Sequence, residues 1–136
     1  MNTLPSLKFG EACRVLVVDD NRDAADSLSW LLRLLGFETS VCYDGMTALQ
    51  SAMDFLPHVG LIDLHMPGMD GDELALKLRA QAAGRPLFLV AITAMSNADA
   101  YRRTTSGGFD LHLVKPVDPA SLVTLIINRC KDFFGL

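Results

Sequence analysis

Short apolar runs alternate with amphipathic segments five times along the chain, a rhythm that predicts strands alternating with helices. The first run, residues 15–18, ends abruptly in Asp19 and Asp20. Asn21 has the side chain of a helix N-cap, and Leu28, Leu31, Leu32 and Leu35 then recur at helical spacing until Gly36 stops the helix. Residues 37–43 predict a second strand, and Asp44 caps a helix running to about residue 54. A third strand over 59–62 ends at Asp63, and a polar loop leads from it into the helix carrying Leu74 and Leu78. Residues 86–92 predict a fourth strand ending at Thr93, with Ser96 and Asp99 forming the cap of the helix behind it. Gly107 and Gly108 break that helix. A fifth strand over 111–114 ends at Lys115 and Pro116, and Asp118 before Pro119 starts a last helix reaching about residue 134.

Strand runs that lack polar alternation need cover on both faces, which is how parallel sheets are buried. Right-handed crossovers then give an α/β fold, a five-stranded doubly wound parallel sheet flanked by five helices. One domain over 13–136 is expected, with residues 1–12 as a flexible arm or linker stub.

Composition narrows the class. Half of the 136 residues are hydrophobic and 7% are aromatic, so the core is aliphatic and disorder is excluded. A net charge of −4 without a basic patch argues against a nucleic-acid partner. The N-terminus lacks an apolar signal core and no run reaches the length of a membrane span, so a soluble, cytoplasmic protein is expected. Cys13, Cys42 and Cys130 are odd in number and lack metal-ligand spacing, which predicts small buried thiols in a reducing compartment. His58 is expected on the surface, Trp30 partly exposed off the leucine face of the first helix, and the six methionines as core filler.

The polar residues that break the apolar rhythm fall where such a sheet binds ligands, at strand carboxyl ends. Strand one delivers Asp19 and Asp20, strand three Asp63, strand four Thr93 and strand five Lys115. In the flavodoxin-like order 2-1-3-4-5 these strands are neighbours and their side chains converge. Three carboxylates packed together repel one another, and burial raises their pKa values further. A hard divalent cation resolves this, and oxygen-only ligands select Mg²⁺, or Mn²⁺ in its place. Lys115 and Thr93 suit a trianionic phosphoryl group better than a purely metal-holding cluster, and Asp63 at the centre is the natural nucleophile.

The runs V-L-V-V-D-D-N, L-I-D-L-H-M-P-G-M-D-G, A-I-T-A and L-V-K-P resemble the signatures of response regulator receiver domains, over residues 14 to about 131. The resemblance implies a chemotaxis-regulator-like fold and a part in two-component phosphorelay signalling. Asp63 is then the phosphoacceptor, Asp20 a direct Mg²⁺ ligand with Asp63, Asp19 a ligand through water, and the His65 backbone carbonyl a further ligand. Thr93 and Lys115 contact the phosphoryl oxygens, beside an Ala94 small enough to admit them. Lys115–Pro116 is a cis candidate. The implied partner is a histidine kinase or histidine phosphotransfer domain meeting the chain near its first helix, with no nucleic acid and no membrane. The chain is expected as a monomer or weak phosphorylation-dependent dimer, and as an acceptor that assists its own phosphotransfer and dephosphorylation rather than an enzyme.

Two departures stand out. Where many members carry Tyr or Phe three residues before the lysine, this chain has His112. In the family that side chain swings inward when the Thr93 hydroxyl is drawn to the phosphoryl group, so Thr93 and His112 are the expected switch. The positions two after Asp63 and two after Thr93, which in the family flank the entry to the phosphate and tune its lifetime, are His65 and Met95. A haloacid-dehalogenase-type phosphohydrolase would carry a second Asp where His65 stands, and a cap insertion. A phosphorylation-independent module on the same fold would lack an acid or the lysine, and this chain keeps them all. Its output is expected to be that of a stand-alone regulator, a phosphorelay shuttle or the receiver of a hybrid kinase, which F-D-L-H-L-V-K-P-V-D-P most resembles.

Overall fold

A computed structural model of the chain describes residues 13–94 and 98–135, so the expected arm, the Ser96 end of the helix cap and Met95 lie outside the described residues. Strands β1 (Arg14–Val18), β2 (Glu38–Cys42), β3 (Val59–Asp63), β4 (Phe88–Thr93) and β5 (Leu111–Val114) alternate with helices α1 (Arg22–Leu34), α2 (Gly45–Phe55), α3 (Gly71–Ala82), α4 (Ala98–Ser106) and α5 (Pro119–Phe134). The strands form one sheet in the order β2-β1-β3-β4-β5, with every pair parallel. This is the doubly wound arrangement expected from the apolar rhythm.

Local chemistry starts the helices as the sequence predicts. Asn21 accepts from the Ala24 amide at 3.1 Å, Asp44 from the Thr47 amide at 2.8 Å and Asp118 from the Ser121 amide at 3.1 Å. Each such cap stabilises its helix by about 1 kcal/mol. Alternation along the strands then divides the core in two. Val15, Val17, Leu61 and Val90 pack on the face that Leu32 of α1 and Ile126 of α5 cover. Leu16, Val18, Ile62 and Leu89 pack on the opposite face, under α2 and α3. All eight strand residues are essentially inaccessible, and burial of each contributes about 1.5–3 kcal/mol.

Strand four begins two residues later than the sequence pattern placed it, at Phe88, and runs to Thr93. Its ladder with β3 begins at Val59 paired with Phe88, and Pro86 has no N–H to donate to one. At the amino end of the sheet Arg79 of α3 donates to the Gly108 carbonyl, the Leu87 carbonyl and the Asp110 carboxylate, each at 2.7 Å. Asp110 in turn accepts from the Leu89 amide at 2.8 Å. One side chain thus ties α3 to the starts of β4 and β5.

Three expectations need correcting. Cys13 and Cys130 are not thiols: they form a disulfide joining the residue before β1 to α5, with Cα atoms 6.5 Å apart. The two ends lie 117 residues apart in sequence, so spacing gives no sign of their pairing. Cys42 is a free, buried thiol. His58 is buried: its Nδ1 accepts from the Arg14 amide at 2.9 Å, and its ring meets Phe134 edge-on at 4.9 Å. The methionines are not uniformly core: Met66 and Met69 are buried, whereas Met46 and Met53 lie exposed on α2.

Candidate functional site

The carboxyl ends of β1, β3, β4 and β5 form one rim, and the parallel register sets which polar groups meet there. Asp19 and Asp20 follow β1 directly, Asp63 closes β3, and Asp63 stands in register with Ile92, one residue before Thr93. Carboxylate oxygens of Asp19, Asp20 and Asp63 lie within 4.8 Å of one another. Lys115 crosses to them from the end of β5, and its Nζ donates to Asp19 Oδ2 at 3.2 Å. The Lys115 amide donates to the Thr93 carbonyl at 2.8 Å, which holds the lysine against the end of β4.

Asp19 and Asp63 are partly buried, Asp20 is exposed, and Thr93 is fully buried at the end of its strand. Ala94 beside it is exposed. The Lys115–Pro116 peptide bond is cis.

The carboxyl of Asp63 is pushed up to about 7, first by burial and then by the charge of Asp19 and a hydrogen bond with Asp20. Lys115 and the His65 amide, 3.4 Å from Asp63 Oδ1, act in the opposite direction. The site is therefore short of positive charge. Its donors are oxygens only, and a hard divalent cation fits both the donor chemistry and the charge deficit. With such a cation the rim would hold the Asp63 carboxylate and the Lys115 amine beside the metal, with Thr93 at the end of the neighbouring strand.

The expected switch pair shares one face of the sheet. Ala91 pairs with His112 and Thr93 with Val114, so by alternation Thr93 and His112 point to the same side, away from Leu111 and Leu113. His112 Nε2 is buried with no hydrogen-bond partner among the described residues.

Sequence reasoning did not single out two further features. Gly71 opens α3 directly behind Asp63: a Cβ there would stand 2.3 Å from the Asp63 carbonyl oxygen and 2.9 Å from Leu64 Cα. Its own amide donates to the Leu64 carbonyl at 2.9 Å. Only glycine lets the helix start that close to the strand end, and a glycine at a helix start was the available signal. The second is Arg103 of α4, which pairs bidentately with Asp72 at 3.0 and 3.1 Å and with Asp70 at 3.1 Å. Beside the acids, an open groove of about 1160 Å³ runs along α1 from Asp19 and Lys115 past Leu31 and Trp30 to Pro119. Trp30 is 65% exposed.

Comparison with known proteins agrees with this geometry. The family model of the response regulator receiver domain matches residues 15–127. The transcriptional regulatory protein PrrA of Mycobacterium leprae is 39% identical over 113 residues, covering 83% of this chain and 48% of the relative. An uncharacterized 14.6 kDa protein from the sodA1 3′ region of Leptolyngbya boryana is 34% identical, covering 88% of this chain and 91% of its own. The chain thus spans about half the length of PrrA but nearly all of the second relative. Among solved structures, the chemotaxis protein CheY4 of Vibrio cholerae matches with a TM-score of 0.81 at 26% identity, covering 87% of this chain and 98% of that one. No helix among the described residues is long and apolar enough to cross a membrane. By sequence and by fold, the chain belongs to the response regulator receiver domains of two-component systems.

Proposed function

We propose that this chain accepts a phosphoryl group from a phosphohistidine onto Asp63 and returns it to water or to a second histidine. The observation that carries this is the crowded carboxyl of Asp63, pushed up to about 7 among Asp19 and Asp20 with Lys115 as the cation at hand. A carboxylate oxygen of Asp63 forms the new bond to phosphorus as the phosphorus–nitrogen bond breaks and the imidazole leaves. Lys115 neutralises one phosphoryl oxygen, the Thr93 hydroxyl donates to another, and the exposed Ala94 leaves room for the third. Asp20, Asp63, the His65 backbone carbonyl and, through water, Asp19 would hold Mg²⁺ or Mn²⁺. That cation supplies the charge that keeps Asp63 ionised and the phosphoryl oxygens screened.

The chain is then an acceptor that assists its own phosphotransfer and dephosphorylation. Its partner is a histidine kinase or histidine phosphotransfer domain in the cytoplasm. The groove along α1 joins an exposed aromatic anchor, Trp30, to the mouth of the site, which suits a partner that must bring an imidazole to Asp63. Loading of Asp63 draws the Thr93 hydroxyl away from the interior, and His112 on the same face moves toward the space behind it. The loaded chain is a monomer or a weak dimer.

Incubation with acetyl phosphate and Mg²⁺ is expected to add one acid-labile phosphoryl group at Asp63, read by intact mass and peptide mapping. Asp63→Asn keeps the shape and removes the nucleophile, so labelling should vanish. Stable labelling of that variant at another residue would overturn the proposal.

A further inference from the structure

Asp70 stands at the N-cap of α3, yet its side chain does not cap that helix. Asn21, Asp44 and Asp118 each accept from an amide in the first turn of their own helix, as residues at that position ordinarily do. The Asp70 carboxylate turns back instead. Its Oδ1 accepts from the Met66 amide at 3.2 Å, and its Oδ2 meets Arg103 Nη2 of α4 at 3.1 Å. The arginine is itself held in place. Its Nε and Nη2 donate to the two oxygens of Asp72 at 3.1 and 3.0 Å, a bidentate fork that fixes the plane of the guanidinium. Its Nη1 lies 3.3 Å from the His65 ring nitrogen Nδ1. The end of α4 packs hard against the same acid, since a Cβ at Gly107 would stand 2.9 Å from Asp72 Cβ.

The peptide that Asp70 grips has two ends. The Met66 N–H and the His65 carbonyl belong to one planar trans unit and point in opposite directions. A carboxylate bound to that N–H therefore fixes which way the His65 carbonyl faces. On the other side of the same residue, the His65 amide lies 3.4 Å from Asp63 Oδ1, so the segment passes directly beside the acid cluster. We propose that Arg103 is a positioning residue for the divalent-cation site: through Asp70 it sets the orientation of the His65 carbonyl, the backbone oxygen that would join Asp20 and Asp63 around Mg²⁺. This rests on reading that rim as the cation site that serves Asp63. A carbonyl already oriented by its own hydrogen-bond partner costs less to order when the cation arrives than one free to turn. Charge alone predicts the opposite effect, because removing a cation from the surroundings of an acid cluster strengthens Mg²⁺ binding. Positioning and charge are thus separable by sign.

The test combines calorimetry with NMR on the full-length chain without phosphodonor. Arg103→Met should weaken Mg²⁺ binding by about threefold to tenfold, and Arg103→Lys, which keeps the charge without the fork, by an intermediate amount. In an Asp70→Ala background the arginine substitution should weaken binding no further, because the route from α4 to the carbonyl is already cut. The carbon signal of the His65 carbonyl should shift on adding Mg²⁺ to the parent, and the Met66 amide proton should move upfield in Arg103→Met as its hydrogen bond loosens. Binding by Arg103→Met as tight as the parent's, or tighter, overturns the inference. So does an undiminished loss in the Asp70→Ala background, which would route the effect through the His65 ring or the fold at large, and so does a parent that binds no Mg²⁺. If the parent binds Mg²⁺ but takes up no phosphoryl group from acetyl phosphate, the proposed function fails instead, while the affinities of the variants still decide whether Arg103 positions the cation site.

Discussion

Lys115 donates to Asp19 at 3.2 Å, so a residue from the end of the last strand offsets a carboxylate from the end of the first, 96 positions away. Lys115 meets the acid cluster through Asp19, and the two roles it combines should separate on mutation. Lys115→Ala removes positive charge from beside a cation site, so Mg²⁺ affinity measured by calorimetry should hold or rise, by up to about threefold. Phosphoryl uptake from acetyl phosphate should fall by about an order of magnitude, because a phosphoryl oxygen loses its partner. A matching loss of Mg²⁺ binding would mean the lysine merely holds the site together.

Asp63 gives the fold a pH dependence of unusual sign for a carboxylate. Its folded pKa is raised to about 7 from 3.8, so its favourable contribution is complete below pH 4 and is lost as pH rises through 7. Asp63→Asn removes that loss. In EDTA the variant should be more stable than the parent at pH 8 by about 1–2 kcal/mol, a figure already discounted for partial exposure, and should gain nothing at pH 4. Urea denaturation at the two pH values reads this directly, and an equal gain at both would exclude charge as the cause.

Gly71→Ala places a methyl group 2.3 Å from the Asp63 carbonyl oxygen, so either α3 or the end of β3 must shift. A stability loss of about 1–3 kcal/mol is expected by urea denaturation. Phosphoryl uptake should fall further than stability alone explains, because the displaced atoms belong to the residue proposed as the acceptor. Unchanged stability and uptake would show that the loop has slack.

The Cys13–Cys130 disulfide closes a loop of 117 positions, which in chain-entropy terms contributes about 2–4 kcal/mol. Cys130→Ser and the reduced parent should therefore share a lowered urea midpoint, while the oxidised parent stands above both. Thiol titration of the denatured, unreduced chain should find one free thiol, Cys42. Three would show that the bridge does not form.

The strands, their order and the acids at their ends were legible because each is a local signal: a continuous apolar run, then an abrupt polar residue. Asp19, Asp20, Asp63 and Lys115 meet because parallel register brings strand ends to one rim. The disulfide, the burial of His58 against Phe134 and the Arg103–Asp72 pair were not legible, since each joins segments whose approach depends on helix packing. The exposure of Met46 and Met53 was missed because composition says which residues are apolar and not which face of α2 they occupy. Gly71 lay in plain view in the loop motif, but only the distance to the Asp63 carbonyl gives it a reason.

Arg79 grips the amino ends of β4 and β5 and the last turn of α3 in one guanidinium fork. The strands are thus anchored at the edge opposite the acids and carry their polar residues at the other. Such a sheet behaves as a set of levers with a common fulcrum. A small movement of Thr93 or of the segment after Asp63 is then taken up at the carboxyl ends of β4 and β5, which lie outside the clamp, rather than at their anchored starts.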